Sequence, residues 1–310
     1  MSDLVTVGWL TLDDIVLPDG TYDKDVLGGG ALYAAIGAQI WSDSVGIHSV
    51  TGRPYLDEVQ AALEEHGFDA TGVTPINGNG LQLWILHEND TDKQQIPKLS
   101  SSSATEMDAG RGPLPDLYRQ SARGYHIAPQ GSASTLANIK RLTTLPSRPV
   151  VTLDLLADAY VDPSGYRDLA FLHGVTAFLP SDAEIERLWA PADMESWVVE
   201  QARRATCHVA AKLGDGGSIV CEAGGSVLHR VPIFAADVVD TTGAGDSYSG
   251  GFLAGLVAGR PVAECAAMAT VSASYVVEAR GALATRRPTA SERDGRLADV
   301  LARTRQENRA

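Results

Sequence analysis

The chain has 310 residues, with 25 Lys plus Arg against 39 Asp plus Glu and a formal net charge of -14. That length holds one large α/β domain or two smaller ones around a substantial core. The acid excess argues against nucleic acid or an anionic membrane as the main partner, because both demand clustered positive charge.

Leu4 to Gly8 is a short apolar run ending in glycine, as expected of a buried parallel strand. Residues 15–27 place a Pro18-Asp19-Gly20 turn between strand-like flanks and read as a hairpin. Gly28 to Trp41 reads as helix, Val45 to Val50 as strand, and Leu56 to His66 as a helix closed by Gly67. Residues 73–99 carry the turn Asn77-Gly78-Asn79-Gly80 and the alternating Leu81-Gln82-Leu83-Trp84-Ile85-Leu86. Together with 15–27 they predict a small sheet separate from the core. Ser100 to Ser103 reads as a loop.

From about residue 121 strand and helix alternate. The segments are Gly124 to Ala128, Leu136 to Leu142, Val150 to Asp154, Tyr166 to His173, Ala177 to Leu179, Glu184 to Trp189, Ser196 to Ala205 and Thr206 to Leu213. The alternation predicts a parallel sheet covered by helices. Ligands then gather beyond the C-terminal strand ends, where Gly8, Asp154, Ser181, Gly214 and Asp240 fall. Val231 to Val239 reads as extended, Ser247 to Gly259 as a small-residue helix, and the polar tail Pro288 to Ala310 as a surface helix.

No apolar run approaches the roughly 20 residues that span a bilayer, and the N-terminus lacks the basic-then-apolar pattern of a signal peptide. A cytoplasmic location is expected. Cys207, Cys221 and Cys265 are odd in number and lack metal-like spacing, so buried free thiols are expected rather than a disulfide.

The most specific string is Asp240-Thr241-Thr242-Gly243-Ala244-Gly245-Asp246. A Gly-Ala-Gly turn opening a helix aims uncovered N–H groups outward, where the helix dipole adds positive potential. An aspartate directly after such an anion site would repel a phosphate, unless it takes a proton from the group that attacks the phosphate. Taken alone, a bare Gly-x-Gly-Asp reads as turn glycines with a dipole-favouring carboxylate. The G-x-G-x-x-G dinucleotide spacing fails at Tyr248, and no Walker A lysine is present.

The full string, continued by Ser247-Tyr248-Ser249-Gly250-Gly251-Phe252, resembles the C-terminal signature of the PfkB (ribokinase-like) carbohydrate kinases. The resemblance implies that Gly243, Ala244 and Gly245 form the anion hole for a transferred phosphoryl group and that Asp246 is the catalytic base. Asp13, in Gly8-Trp9-Leu10-Thr11-Leu12-Asp13-Asp14, resembles the family's sugar-binding aspartate and fits it better than Asp14; on sequence alone it reads as a solvated turn residue. Gly28-Gly29-Gly30-Ala31-Leu32-Tyr33 resembles the N-terminal Gly-Gly segment, which implies substrate contacts from Gly29, Gly30 and Tyr33. Tyr33 stands where the family commonly has Asn, and the run is similar to the inositol-kinase branch.

Ser181 and Glu184 occupy the place of the family's Asn-x-x-Glu element, which implies a role in holding Mg²⁺. The same pair also reads as a capping box. Ala211 to Gly217 resembles the segment beside the nucleotide, which implies ATP contacts from Lys212, Gly214, Gly216 and Thr241. Asp240, Thr242 and Gly281 match positions where some relatives hold a monovalent cation such as K⁺. His126 reads as a structural histidine, and Ser247 and Ser249 lack a nearby histidine base for hydrolase chemistry.

The resemblance implies a single domain over 1–310, a three-layer α/β/α sandwich with a mainly parallel sheet and a small β lid at about 15–27 and 73–99. The implied reaction moves the γ-phosphoryl group of ATP to a hydroxyl of a neutral sugar, cyclitol or nucleoside. Tyr33 favours a cyclitol, by offering an aromatic face to a ring. A homodimer through the lid is compatible with that fold. Two alternatives stand beside this one: a ribokinase-like protein that binds a ligand or partner without catalysis, and a sugar-phosphate kinase.

Overall fold

The computed structural model describes residues 2–88, 93–157 and 163–308. In chain order the strands and helices begin with β1 (Leu4–Val7), β2 (Thr11–Val16), β3 (Tyr22–Gly28), α1 (Gly30–Gln39), β4 (Val45–Gly52) and α2 (Leu56–Glu65). β5 (Asp69–Ile76), β6 (Leu81–His87), β7 (Lys93–Pro97), α3 (Ala104–Gly110), α4 (Asp116–Ser121) and β8 (Gly124–Ile127) follow. Next come α5 (Ser132–Thr143), β9 (Val150–Leu153), β10 (Ala177–Phe178), α6 (Asp182–Trp189), α7 (Met194–Ala205), β11 (His208–Lys212) and β12 (Ser218–Cys221). The chain closes with β13 (Val227–Val231), α8 (Ala244–Val257), α9 (Val262–Val276), α10 (Ala290–Arg303) and β14 (Arg305–Asn308).

The main sheet has the order β14-β13-β12-β11-β10-β9-β8-β1-β4-β5. It is parallel from β11 to β5, and the three pairs from β11 to β14 are antiparallel. Short apolar strands such as Val150–Leu153 are buried on both faces, which requires a helical layer on each side. Tyr118, Ile139, Leu142, Ile185, Trp197 and Val198 carry α4 to α7 onto one face. The other face is covered by α1, α2, α8, α9 and α10 through two clusters that include Leu32, Leu63, Phe252, Val271 and Val300. This is the three-layer α/β/α arrangement expected from the strand and helix alternation.

α1, α8 and α9 pack backbone to backbone because their contact residues are small. A Cβ on Gly250 would land in the Ala34 carbonyl, and one on Gly37 would land in the Ser247 carbonyl. This close approach brings the N-terminal ends of α1 and α8 side by side at the C-terminal edge of the sheet, where ligands of open α/β sheets bind.

A second sheet, ordered β3-β2-β6-β7, stands apart from the first. Its segments correct the expected lid boundaries. Residues 73–76 belong to β5, which pairs in parallel with β4 in the main sheet. Pro75 can sit there because β5 is the edge strand. Within the expected span, residues 89–92 lie outside the described residues.

Two other expectations change. The extended run Val231 to Val239 is a strand only as far as Val231, and the polar tail adds the edge strand β14 after α10. Cys207, Cys221 and Cys265 are buried free thiols, and among the described residues no helix is long and apolar enough to cross a membrane. His126 is fully buried with Nδ1 2.9 Å from Thr152 Oγ1, as a structural histidine would be.

Candidate active site

Gly243 takes φ +74 and caps α8, a backbone state open to glycine at little cost. A Cβ there would overlap the Tyr33 ring of α1, with even Cε1 only 2.5 Å away. Ala244 N–H turns to Thr241 O at 3.3 Å, while Asp240 Oδ1 accepts from Thr242 N at 2.8 Å and from Thr242 Oγ1 at 2.6 Å. These bonds fix the turn that precedes the helix. Asp246, in the first helical turn, points its carboxylate at the start of α1, where a Cβ on Gly30 would lie 2.9 Å from Asp246 Oδ1. The two glycine-built helix starts therefore meet at Asp246.

Gly29, at φ +100, precedes α1, and a Cβ on it would stand 2.5 Å from Trp9 O. Asp13 follows on β2, beside a register shift that re-aims the strand. It is 4 % exposed, accepts from Thr11 Oγ1 at 2.9 Å on Oδ2, and leaves Oδ1 buried with no hydrogen bond among the described residues. Burial pushes its carboxyl up to about 7. Asp14 is tied down instead, accepting from Asp25 N at 2.9 Å and pairing with Lys98 Nζ at 2.9 Å.

Tyr33 is 5 % exposed. Burial, together with the nearby carboxylates of Asp240, Asp13 and Asp246, keeps its hydroxyl protonated far above the ordinary range. Its ring is spent on Gly243, so the open aromatic face expected for an acceptor ring is not what the fold provides.

On the other side of Asp246 lies a cavity of about 800 Å³. Lys212, Gly214 and Thr241 line it, together with Ser181, Glu184, Ala244 and Gly245. Gly216 sits in the same tight turn as Gly214, but Gly217 supplies the lining. The apolar wall is built from Ile233, Phe234, Val238 and Val277, and the first and third of these are 42 % and 61 % exposed. Such exposure of large apolar side chains in a concave site marks a ligand slot.

Ser181 and Glu184 form the capping box of α6: Ser181 N donates to Glu184 Oε2 at 2.7 Å and Glu184 N to Ser181 Oγ at 3.2 Å. Burial and the neighbouring Asp154 push the Glu184 carboxyl up to about 7. Oxygen donors of this kind suit a hard divalent cation that keeps several waters, although among the described residues no three His, Cys, Asp or Glu side chains converge as a metal site. Gly281 lies against Val26 of β3, while Asp240 N and Val239 N donate to Val277 O at the end of α9.

For two residues that the sequence places near the site it assigns no specific role. Asp154, just past β9, pairs with Lys212, and Ser249 on α8 donates to the same Asp154 oxygen at 3.2 Å. Burial opposes the Lys212 charge, but Asp154, Glu184 and Asp246 outweigh it and hold the ammonium protonated.

The family model for PfkB family carbohydrate kinases matches residues 137–290, a span that contains Asp154, Glu184, Lys212 and the whole turn at Gly243. Over that span the chain carries a PfkB family carbohydrate kinase domain. Among the relatives of this PfkB kinase is the cytidine kinase of Thermococcus kodakarensis, 27 % identical over 288 residues that cover 91 % of this chain and 98 % of that one. Two solved structures share the fold. Arabidopsis thaliana ribokinase, complexed with ribose and ATP, is 20 % identical with a TM-score of 0.74, covering 96 % of this chain and 99 % of its own. The nucleoside kinase of Methanocaldococcus jannaschii is also 20 % identical with a TM-score of 0.74, covering 96 % and 98 %.

Proposed function

We propose that this PfkB kinase transfers the γ-phosphoryl group of ATP to a hydroxyl of a neutral sugar or nucleoside. The observation that carries the reading is the position of Asp246, which faces Gly30 on one side and lines the donor cavity on the other. A base at that junction touches both reactants. The Asp246 carboxylate takes the proton from the acceptor hydroxyl. The acceptor oxygen bonds to the γ-phosphorus as the bond to the bridging oxygen breaks, and ADP leaves. N–H groups at the start of α8, with the dipole of the helix behind them, face the phosphoryl oxygens.

Asp13 grips acceptor hydroxyls through its unsatisfied Oδ1, because an ionised carboxylate accepts from two hydroxyl groups at once. Lys98, a cation near it, is paired with Asp14, which supports a neutral acceptor over a sugar phosphate. A nucleoside ranks ahead of a cyclitol, since the Tyr33 ring packs on Gly243 and the nearly full-length relative is a cytidine kinase. The adenine of ATP fits the apolar wall from Ile233 to Val277, beside Gly214 and Gly217.

Ser181 and Glu184 would hold Mg²⁺, and Asp240 and Thr242 a K⁺ ion. When bound, such cations neutralise phosphate charge during transfer. The β2, β3, β6 and β7 sheet serves as a lid that excludes water, in one domain with the main sheet. Tyr22, Trp84, Ile96 and Leu99, exposed on or beside it, suit a homodimer contact there. Buried free thiols and use of ATP fit the cytoplasm.

ADP release measured with ATP, Mg²⁺ and a panel of cytidine, adenosine, ribose, fructose, myo-inositol and fructose 6-phosphate tests the reading. The highest kcat/KM should fall on a neutral nucleoside or sugar. A highest value on fructose 6-phosphate would overturn the neutral acceptor, and no ADP release with any member beyond that seen without acceptor would favour a binding protein.

A further inference from the structure

We propose that Asp154 is a positioning residue of the reaction, aiming the Lys212 ammonium at the phosphoryl group in transfer, an inference that rests on the kinase reading above. Four elements converge on this point: Lys212 ends β11, Asp154 follows β9, Glu184 opens α6 and Ser249 lies on α8. The Lys212 Nζ and Asp154 Oδ2 atoms form an ion pair with side chains only 12 % and 2 % exposed.

The Asp154 carboxylate is itself held on both oxygens. Oδ1 accepts from Leu155 N at 2.9 Å, and Oδ2 accepts from Ser249 Oγ at 3.2 Å. Ser249 Oγ also lies 3.1 Å from Gly245 O, so its one proton is shared between that carbonyl and Asp154 Oδ2, beside the turn that opens α8. A Cβ built on Gly245 would stand 3.5 Å from Lys212 Nζ, which places the ammonium against that turn and inside the donor cavity that Asp154, Gly245 and Asp246 also line.

A lysine has a flexible four-carbon stem, and its charge is placed only when an anion fixes it. A buried ion pair can also be merely structural, with two charges that cancel. Here the ammonium contacts Asp154 and also feels the charges of Glu184 and Asp246. Those carboxylates would repel the phosphates of a nucleotide, and the fixed ammonium offsets them at the point where phosphoryl charge shifts. Lys212 keeps its proton throughout and acts as a fixed charge.

The test is a double-mutant cycle of Lys212→Met and Asp154→Asn in the full chain, read by kcat, acceptor KM, ATP affinity by calorimetry and thermal melting. Lys212→Met should lower kcat roughly 10²-fold and Asp154→Asn roughly 10-fold, each with acceptor KM within about twofold. In the Lys212→Met background, Asp154→Asn should lower kcat no further, and ATP affinity should hold or improve because an uncompensated carboxylate is removed. Lys212→Arg keeps the charge and an ion pair but moves the charge centre, so it should melt like the wild type and still lose roughly 10-fold in kcat. Losses that multiply in the double variant, or a Lys212→Arg enzyme with wild-type kcat, would overturn the positioning role. A wild-type protein that neither binds ATP nor phosphorylates any acceptor would overturn the kinase reading and this inference with it.

Discussion

Gly243→Ala gives a direct reading of how the site is built. The added methyl must occupy φ +74 and share space with the Tyr33 ring, whose Cε1 would be 2.5 Å away when ordinary contact starts at 3.4 Å. Left-handed backbone costs a non-glycine residue about 1–2 kcal/mol, and overpacking a rigid core adds about 1–3 kcal/mol. The expected loss is therefore about 2–5 kcal/mol, taken either as stability or as a displaced turn with lowered kcat. Tyr33→Ala alone empties a buried aromatic site, at about 3–5 kcal/mol. In the double variant the methyl enters the space the ring has left, so the two losses should fall short of additivity by about 1–3 kcal/mol. Urea unfolding of the four proteins, with kcat measured in parallel, supplies the cycle. Strict additivity, or a Gly243→Ala protein with wild-type stability and turnover, would refute the packing of Tyr33 on the turn.

Further expectations follow from individual residues. Burial raises the Asp13 carboxyl from 3.8 to about 7, so the folded state holds this proton more tightly than the unfolded chain. That contribution is fully present below pH 3.8 and is lost as pH rises through about 7, a swing of about 4 kcal/mol at most. Asp13→Asn, which cannot ionise, should thus gain stability relative to wild type between pH 4 and 8 in urea titrations, and a difference that does not vary with pH would contradict the buried carboxyl. Gly29→Ala, strained at φ +100 against Trp9 O, should lower the melting temperature by several degrees or more, and an unchanged melt would show the segment to be free to move. Val238→Asp puts a charge on an exposed apolar wall and should raise KM for ATP roughly tenfold without changing acceptor KM or melting; an unchanged KM for ATP would move the adenine elsewhere.

What the sequence disclosed was mostly what local chemistry decides. The string from Asp240 to Asp246 and the glycines at 28–30 each mark a helix start whose backbone must be bare, and the fold sets those two starts side by side. Alternation of apolar runs with helical segments gave the main sheet. Long-range context decided the rest. Residues 232–239 have the apolar character of a buried strand, yet Ile233, Val238 and Val239 are exposed, because a run of apolar residues does not distinguish a core strand from the wall of a slot. Residues 73–76 carry strand signals that fit either sheet, and pairing with β4 decides between them. β14 is a polar edge strand, Arg-Gln-Glu-Asn, without the apolar alternation that announces a strand. Asp154 and Lys212 lie far apart in sequence, and neither signals the other until the main sheet brings the ends of β9 and β11 together across β10.

The central claim is that Asp246 is the base between the two reactants, and steady-state kinetics of Asp246→Asn with the best neutral acceptor tests it most directly. Asparagine preserves the size and most of the hydrogen bonding of the side chain but cannot take the proton. The account expects kcat to fall by roughly 10²-fold or more, with ATP and acceptor affinities by calorimetry within about threefold of wild type. Turnover near the wild-type value in that variant would remove Asp246 from the chemistry and contradict the account.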